Sequence, residues 1–342
     1  MGKILKKISL WFIRRKEFKR YKNILANGVY VADSRMKCFC LMEARSLKFV
    51  ETHLKIRIGA RKRFSKFKIK TKGLKLHENS IILLSNSTMD NGRPQSVKVF
   101  NLTNCQVSTY YNDEIKLKKD IQGGKMSTLF FPTPKRILED IDKRIIIDEI
   151  IFSKSVDLLQ NDERIEVYKK VIKDYISYYE RVGHALVGKF SFSEREEDIQ
   201  SLHDAVTLIR DFQFVTVVQH GDLTFNNILY EQKQNKLFYI DFEHSQAILF
   251  YYDMFFLMQN DYIYNRNSIL LEEYLKGTFD ELFAQLFQCV GLVFDYVLKK
   301  EYFVLFLIEM YQLRIKSLSS NNKRIALNHI KKLFDYIFQE NF

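Results

Sequence analysis

The 342-residue sequence predicts an α+β fold, with a small antiparallel β-rich lobe followed by a larger helical lobe. Two observations lead there. Between residues 67 and 101 apolar and polar residues alternate with a period of two, the spacing of strands with one buried face. Beyond residue 152 the spacing becomes three and four, as in "ERIEVYKKVIKDYISYYERVGHALV" at 163–187, which is the period of amphipathic helices. The expected division is a basic N-terminal extension over 1–66 that carries an amphipathic helix, an N-lobe over 67–152 and a helical C-lobe over 153–342.

Composition supports a packed chain. Apolar residues make up 46% of it, 29 Phe and 19 Tyr supply large core side chains, and only 3 Pro are present, too few for Pro-rich linkers. The formal charge of +13 is unevenly spread. Residues 1–75 hold 23 Lys and Arg against 4 Asp and Glu, while the remainder holds 31 against 37. Basicity therefore belongs to the N-terminal segment, and only that segment calls for an anionic partner. Cys38, Cys40, Cys105 and Cys289 form no C-x-x-C pair and have no histidine cluster near them in sequence, so a zinc site and a disulfide scaffold are both disfavoured. No cleavable signal is visible and no apolar run reaches the roughly 18–20 residues of a membrane span. The expected location is the reducing cytoplasm, with a peripheral place at the inner face of the membrane if the first helix binds lipid.

That first helix is "GKILKKISLWFIRRKEFKRYK" at 2–22. Ile4, Leu5, Ile8, Trp11 and Phe12 share a face that lysines and arginines flank, a pattern suited to an anionic membrane surface. A basic helix docked on its own domain is the alternative. Lys6 stands where N-myristoylation of Gly2 needs Ser or Thr. The second basic run, "RKRFSKFKIKTK" at 61–72, has no nucleic-acid-binding motif around it and reads as a solvated face running into a strand, so no nucleic acid is expected. Next come "FKIKTKGLKL", the buried run "SIILLSNS", the turn "MDNGRP" and the alternating "QSVKVFNL", together a three-strand antiparallel meander. A helix is expected over 109–121, strand-like runs over 136–139 and 144–152, and short strands near 215–219, 228–230 and 237–240.

The last three strands bracket "HGDLTFNNIL" at 220–229 and precede Asp241 in "YIDFEH". If 228–230 and 237–240 form a hairpin, the loop before the first strand and the residue after the second lie at one end. Asp222, Asn227 and Asp241 then converge. Two carboxylates and a carboxamide are hard oxygen ligands of the kind Mg²⁺ takes alongside water and substrate phosphates. A carboxylate left off the metal can accept a hydroxyl proton, the division of labour found in phosphoryl transfer.

These residues resemble the catalytic loop and metal motif of the aminoglycoside phosphotransferase and choline kinase-like families, relatives of protein kinases. The pattern H-x-D-x-x-x-x-N falls on His220, Asp222 and Asn227, and the later metal aspartate on Asp241. The resemblance implies a two-lobed protein-kinase-like fold covering about 70–342. It makes Asp222 the catalytic base and Asn227 and Asp241 the metal ligands. His220 becomes a packed structural histidine, and Asp253 in "YYDMFF" the brace of the catalytic loop. It implies further that Lys98 in "SVKVF" holds nucleotide phosphates and that Glu114 is its helical ion-pair partner, with Asp113 as a substitute. Residues 148–152, "DEIIF", fall at the adenine-binding hinge, where Glu149 and Ile151 would act through their backbones.

The implied activity is ATP- and Mg²⁺-dependent phosphorylation of a small-molecule hydroxyl, on a sugar, a polyol or an amino alcohol. "QNDYIYNRN" and "LEEYLKGTFDE" offer tyrosines and acids for an acceptor. The basic extension favours surface-glycan or lipid-linked precursor synthesis over antibiotic modification, and the lack of "APE" after "DFE" disfavours a protein kinase. One departure stands against this. The turn that should cover the phosphates, "GLKLHENS" at 73–80, has only Gly73, and close backbone approach is harder without glycine. A catalytically silent, kinase-like scaffold at the membrane surface is therefore the competing reading.

Overall fold

The computed structural model describes residues 2–54, 56, 66–69, 78–127, 131–153, 159–182, 188–189, 197–206 and 214–339. The chain divides into two units. One comprises Met1–Lys125, Pro132–Ser155 and Leu229–Ile240; the other Met126–Phe131, Val156–Ile228 and Asp241–Phe342.

The first unit is built on an eight-stranded sheet, antiparallel at every pairing. Its strands are β1 (Gly28–Ala32), β2 (Cys38–Leu41), β3 (Lys66–Ile69), β4 (Asn79–Leu84), β5 (Ser96–Asn101), β6 (Gln106–Tyr111), β7 (Arg136–Asp140) and β8 (Ile145–Glu149). Their order is β3-β1-β2-β4-β5-β6-β8-β7. Cys38, Phe39 and Cys40 are all buried, because helices cover both faces of the sheet. On one face, Phe18 of α1 (Gly2–Arg20) stacks on Phe39 at 4.3 Å and joins Tyr30, Ile82, Val97 and Val99. On the other, Phe49 and Val50 of α2 (Ala44–Thr52) pack with Cys38, Cys40, Ile81 and Phe100. Strand periodicity puts Lys98 on this second face, two residues before Phe100.

Three expectations change here. Residues 28–52 are not an extension: they supply β1, β2 and α2 to the sheet. The meander is split, because β3 pairs with β1 while β4 pairs with β2, so the β1–β2 hairpin lies between them. The stretch expected as one helix from 109 begins as β6 and turns helical only at α3 (Glu114–Ser127).

The helix α1 is docked on its own unit. Trp11, offered above to a membrane interface, packs against the Phe18–Phe39 core, and the Arg15 guanidinium lies over the rings of Trp11 and Phe67. Glu17, 1% exposed, accepts hydrogen bonds from Arg93 (Nε and Nη2, 3.2 Å each), Arg20 (3.1 Å) and Asn112 (3.1 Å). Phe12 alone of the named apolar residues with described side chains faces solvent, and the side chains of Ile4, Leu5 and Ile8 lie outside the described residues. The docked-helix alternative is thus what Trp11 and Phe18 adopt, and the physical argument for a membrane-side role loses its main residue.

The second unit is mostly helical. It holds a short sheet of β9 (Gly188–Lys189), β10 (Val215–Gln219) and β13 (Gln246–Leu249), with β10 in the middle. Between β10 and β13 in sequence, β11 (Ile228–Glu231) and β12 (Lys236–Tyr239) form a two-stranded hairpin, which belongs to the first unit from Leu229 to Ile240. The helices are α4 (Asn161–Val182), α5 (Gln200–Ala205), α6 (Tyr252–Tyr264), α7 (Ile269–Lys276), α8 (Asp280–Cys289), α9 (Lys299–Met310) and α10 (Ser320–Gln339), with a π-helical turn at Tyr311–Ile315. Residues 252–259 of α6 and 302–310 of α9 are buried all round, so these two helices form the centre. Phe255 packs edge-on to Tyr274, stacks on Phe283 and touches Phe303 and Phe306. Among the described residues no helix is long and apolar enough to cross a membrane.

Candidate functional site

The site is built from the end of β10 and the turn that precedes β13. Gln219 closes β10, in register with Gln246 of β13, and the chain then turns through His220, Gly221 and Asp222. Gly221 has φ +76°, and a Cβ there would stand 2.3 Å from the His244 carbonyl oxygen. Only glycine lets the two turns approach so closely. The His220 and Phe242 rings meet at 4.5 Å between centroids, so the 220–222 turn rests on the 242–244 turn. Asp241 opens that second turn with φ 69° and ψ 53°, a left-handed conformation that Asp tolerates better than most side chains.

Beneath the loop lies Asp253 of α6, fully buried. Its carboxylate accepts the backbone N–H of His220 (2.7 Å) and of Gly221 (3.0 Å) and the hydroxyl of Tyr175 (2.6 Å). Burial pushes this carboxyl up, while His220 and the hydrogen bonds favour its charged form. Other tyrosines of α4 brace the neighbouring backbone. Tyr178 donates to the Val218 carbonyl at 2.7 Å, Tyr168 to Met254 at 3.3 Å, and Tyr179 to Phe250. A second buried acid, Glu309 of α9, takes the Leu249 N–H with both oxygens, at 3.0 and 3.1 Å. The backbone groups named here are thereby paired inside the core.

Asp222 and Asn227 are brought together. The Asn227 amide nitrogen donates to the Asp222 carbonyl at 2.9 Å and lies 3.5 Å from Asp222 Oδ2. This bond identifies the nitrogen end of the amide and leaves the oxygen as the end suited to a hard cation. The Asp222 N–H points to His220 Nδ1 at 3.3 Å. Asp241 enters through the turn packed on His220 and Gly221, and a Glu243 carboxylate oxygen lies within 4.8 Å of one of its own. Glu243 carries no role in the sequence reading, yet it sets a second carboxylate beside Asp241.

Sequence reasoning also missed Arg314, in the π-helical turn. Its Nη1 donates to Asp222 Oδ1 at 2.9 Å, its Nη2 to the Gly221 carbonyl, and its guanidinium lies 4.4 Å from the Phe256 ring centroid. Ninety-two residues separate Arg314 from Asp222, and no local pattern marks it.

The nucleotide-side candidates lie in the first unit. Lys98 sits mid-strand on β5, opposite Leu83 and Thr109. Its expected pairing with Glu114 is not the one formed. Glu114 bonds Lys118 at 2.8 Å and Arg144 at 3.1 Å, because it stands at the exposed start of α3. Asp113, the substitute, caps that helix by accepting the Ile115 N–H at 2.9 Å. Lys98 acts instead on Asp148: burial pushes that carboxyl up, and Arg136 and Lys98 pull it back. Glu149 closes β8; its N–H donates to Lys135 O at 3.0 Å and its side chain accepts the Lys135 N–H at 2.8 Å. Ile151 follows, its carbonyl accepting the Ser153 N–H at 3.0 Å. The expected phosphate-covering turn lies mostly outside the described residues, Gly73 included.

No protein-family model matches the chain. No curated protein matches it either. Solved structures do. A choline kinase from Streptococcus pneumoniae is 15% identical with a TM-score of 0.39, over 73% of this chain and 93% of that one. A putative aminoglycoside phosphotransferase from Ralstonia eutropha is 13% identical with a TM-score of 0.44, over 72% and 90%. An amicoumacin kinase, solved in complex with AMP-PNP, Ca²⁺ and Ami, is 12% identical with a TM-score of 0.43, over 70% and 85%.

Proposed function

We propose that this chain is a phosphotransferase that moves the γ-phosphoryl group of ATP to a hydroxyl of a small molecule, a sugar, a polyol or an amino alcohol. The observation that carries the reading is the pairing of Asp222 and Asn227 on one buttressed turn, with Asp241 on the turn packed beneath it. In this reading Asp222 orients the acceptor hydroxyl and takes its proton, and Lys98 contacts nucleotide phosphates. Glu149 and Ile151 contribute backbone groups to the base. Asn227 and Asp241 hold Mg²⁺, with Glu243 as a further oxygen donor. The donor set fits a hard divalent cation, since it offers only carboxylate and amide oxygens. Bound there, Mg²⁺ neutralises phosphate charge. The chain's own contribution is positioning: Asp253 and the α4 tyrosines hold the loop rigid, so little reorganisation is needed when the acceptor arrives.

The test is ADP release from ATP and Mg²⁺ across a panel of small alcohols, with the Asp222→Asn variant beside the parent. The parent turns over at least one acceptor. The variant loses turnover by about 10²–10⁴-fold, the usual range for a general base, while keeping its nucleotide affinity. A variant as fast as the parent refutes the assignment of the base. Thermal shift with ATP, with and without Mg²⁺, separates the silent scaffold, because ligand at 100 times Kd adds about 2.7 kcal/mol of apparent stability. No shift and no turnover together favour the scaffold.

A further inference from the structure

Arg314 takes no part in the reading above, yet it touches the residue on which that reading turns. It sits in the π-helical stretch Tyr311–Ile315, which continues α9 and carries the i to i+5 bond from Lys316 N to Tyr311 O at 2.9 Å. A π turn is a costly insertion that re-aims side chains and recurs at functional sites. Here it aims a guanidinium at two acceptors of one turn, Asp222 Oδ1 at 2.9 Å and the Gly221 carbonyl, with the Phe256 ring behind it at 4.4 Å. The two side chains are each 30% exposed, so the ion pair itself adds little to stability. Its geometric effect is larger. A planar fork bonded to both a side chain and a backbone carbonyl fixes the rotation of the Asp222 carboxylate, which a point charge does not do. Oδ1 is occupied, and among the described residues Oδ2 meets only the long 3.5 Å approach of Asn227 Nδ2.

We propose that Arg314 is a positioning residue that locks the Asp222 carboxylate with Oδ2 turned to the acceptor hydroxyl. The inference rests on the phosphotransferase reading. In the step it serves, the acceptor O–H proton passes to Oδ2. The freed oxygen lone pair forms the bond to the γ-phosphorus, the bond from that phosphorus to the β,γ-bridging oxygen breaks, and ADP leaves with the electron pair. Asp222 then returns its proton to solvent.

The experiment compares Arg314→Ala, Arg314→Lys and Arg314→Gln with the parent for kcat, acceptor KM and nucleotide Kd, with melting temperature as the check on folding. The expected result is a loss of roughly 10²-fold in kcat for Arg314→Ala, the scale of a misplaced catalytic group. KM and Kd stay within about two-fold, because Arg314 acts in the transition state and not in uniform binding. Arg314→Lys is intermediate, since an ammonium reaches Asp222 but lacks the fork. Added guanidinium restores part of the Arg314→Ala rate. In an Asp222→Asn background, Arg314→Ala costs nothing further, because its effect runs through that carboxylate. A folded Arg314→Ala with parental kcat overturns the inference and leaves the phosphotransferase reading standing. So does an Arg314→Ala loss of equal size in the Asp222→Asn background. If Arg314→Ala does not fold, Arg314→Gln carries the same comparison. A parent that releases no ADP with any acceptor overturns both.

Discussion

Glu309 makes the structure answerable to a pH titration. It lies on α9, 7% exposed, with both carboxylate oxygens on the Leu249 N–H. Burial pushes its carboxyl up from 4.5 to about 7; the Leu249 bond works against this rise, and the charge of Asp253 adds to it. The folded protein therefore keeps a proton that the unfolded chain releases between about pH 4.5 and 7. A folded pKa that is raised on an acid means that stability falls as pH climbs through this window and levels off above it. The full displacement corresponds to about 3 kcal/mol, of which roughly 2 kcal/mol falls between pH 5 and 8. Glu309→Gln keeps an acceptor for Leu249 and removes the titration. Urea unfolding at several pH values tests it. Far-UV circular dichroism is the right probe, because Glu309 lies in the helical unit while the sole tryptophan, Trp11, reports on the other. The variant should gain on the parent by roughly 2 kcal/mol from pH 5 to 8. Parallel curves for the two proteins refute the reasoning, and with it the view that Leu249, hence the β10–β13 pair under the candidate loop, hangs on a desolvated acid.

Gly221→Ala and Gly291→Ala form a controlled pair, since both glycines have φ +76° but only Gly221 has a neighbour within reach of a Cβ. Gly291→Ala should cost about 1 kcal/mol for the left-handed backbone, whereas Gly221→Ala should cost at least ~2 kcal/mol more and abolish turnover; equal costs would remove the close approach of the two turns. Arg164 bonds Asp261 at 2.6 Å and lies over the Phe225 ring at 5.5 Å, in the turn that carries Asn227. Arg164→Ala should destabilise the helical unit by about 3–5 kcal/mol, read by urea unfolding, because a buried carboxylate loses its guanidinium partner. Glu17→Gln should cost roughly 1–3 kcal/mol by weakening the hydrogen bonds from Arg93 and Arg20, and the Trp11 emission should shift as α1 loosens; an unchanged spectrum and stability would mean that α1 is held by contacts other than those of Glu17, such as Phe18 and Trp11 on the sheet.

How much of this was legible in the sequence depended on the range of the signal. The strands at 215–219, 228–230 and 237–240 were placed within a residue or two, because short apolar runs between turn residues are local patterns. The β1–β2 hairpin was missed because the segment is short, lies within a strongly basic stretch and is buried on both faces, so "CFCL" shows no alternation. Sheet order was also beyond reach. The pairing of β3 with β1 joins residues about 40 apart, and a period-two pattern does not say which neighbour a strand will take. Trp11 shows the same limit from the other side. An amphipathic helix rimmed by lysines looks alike in sequence whether its apolar face meets lipid or its own sheet, and here the sheet supplies Phe39 and Phe67 to receive it.

The candidate site divides along the same line. His220, Asp222 and Asn227 stand out in the sequence because they share one turn at fixed spacing, and Asp241 because it follows the hairpin after that turn. The groups that give the turn its shape do not. Tyr175 and Tyr178 are two among 19 tyrosines, and Glu309 one acid on a helix, until packing sets them against Asp253, Val218 and Leu249. Arg314 is the sharpest case. Its approach to Asp222 requires a π turn, a helix irregularity with no composition of its own, and an aromatic backing from Phe256 on another helix. Lys98 and Glu114 err in the opposite direction. The sequence offers them to each other, but Glu114 starts its helix in solvent beside Arg144, while the charge of Lys98 acts on Asp148. A motif thus identifies which groups are available for chemistry. Which charge stands beside each of them is a property of packing, and at Asp222 that neighbour is a guanidinium.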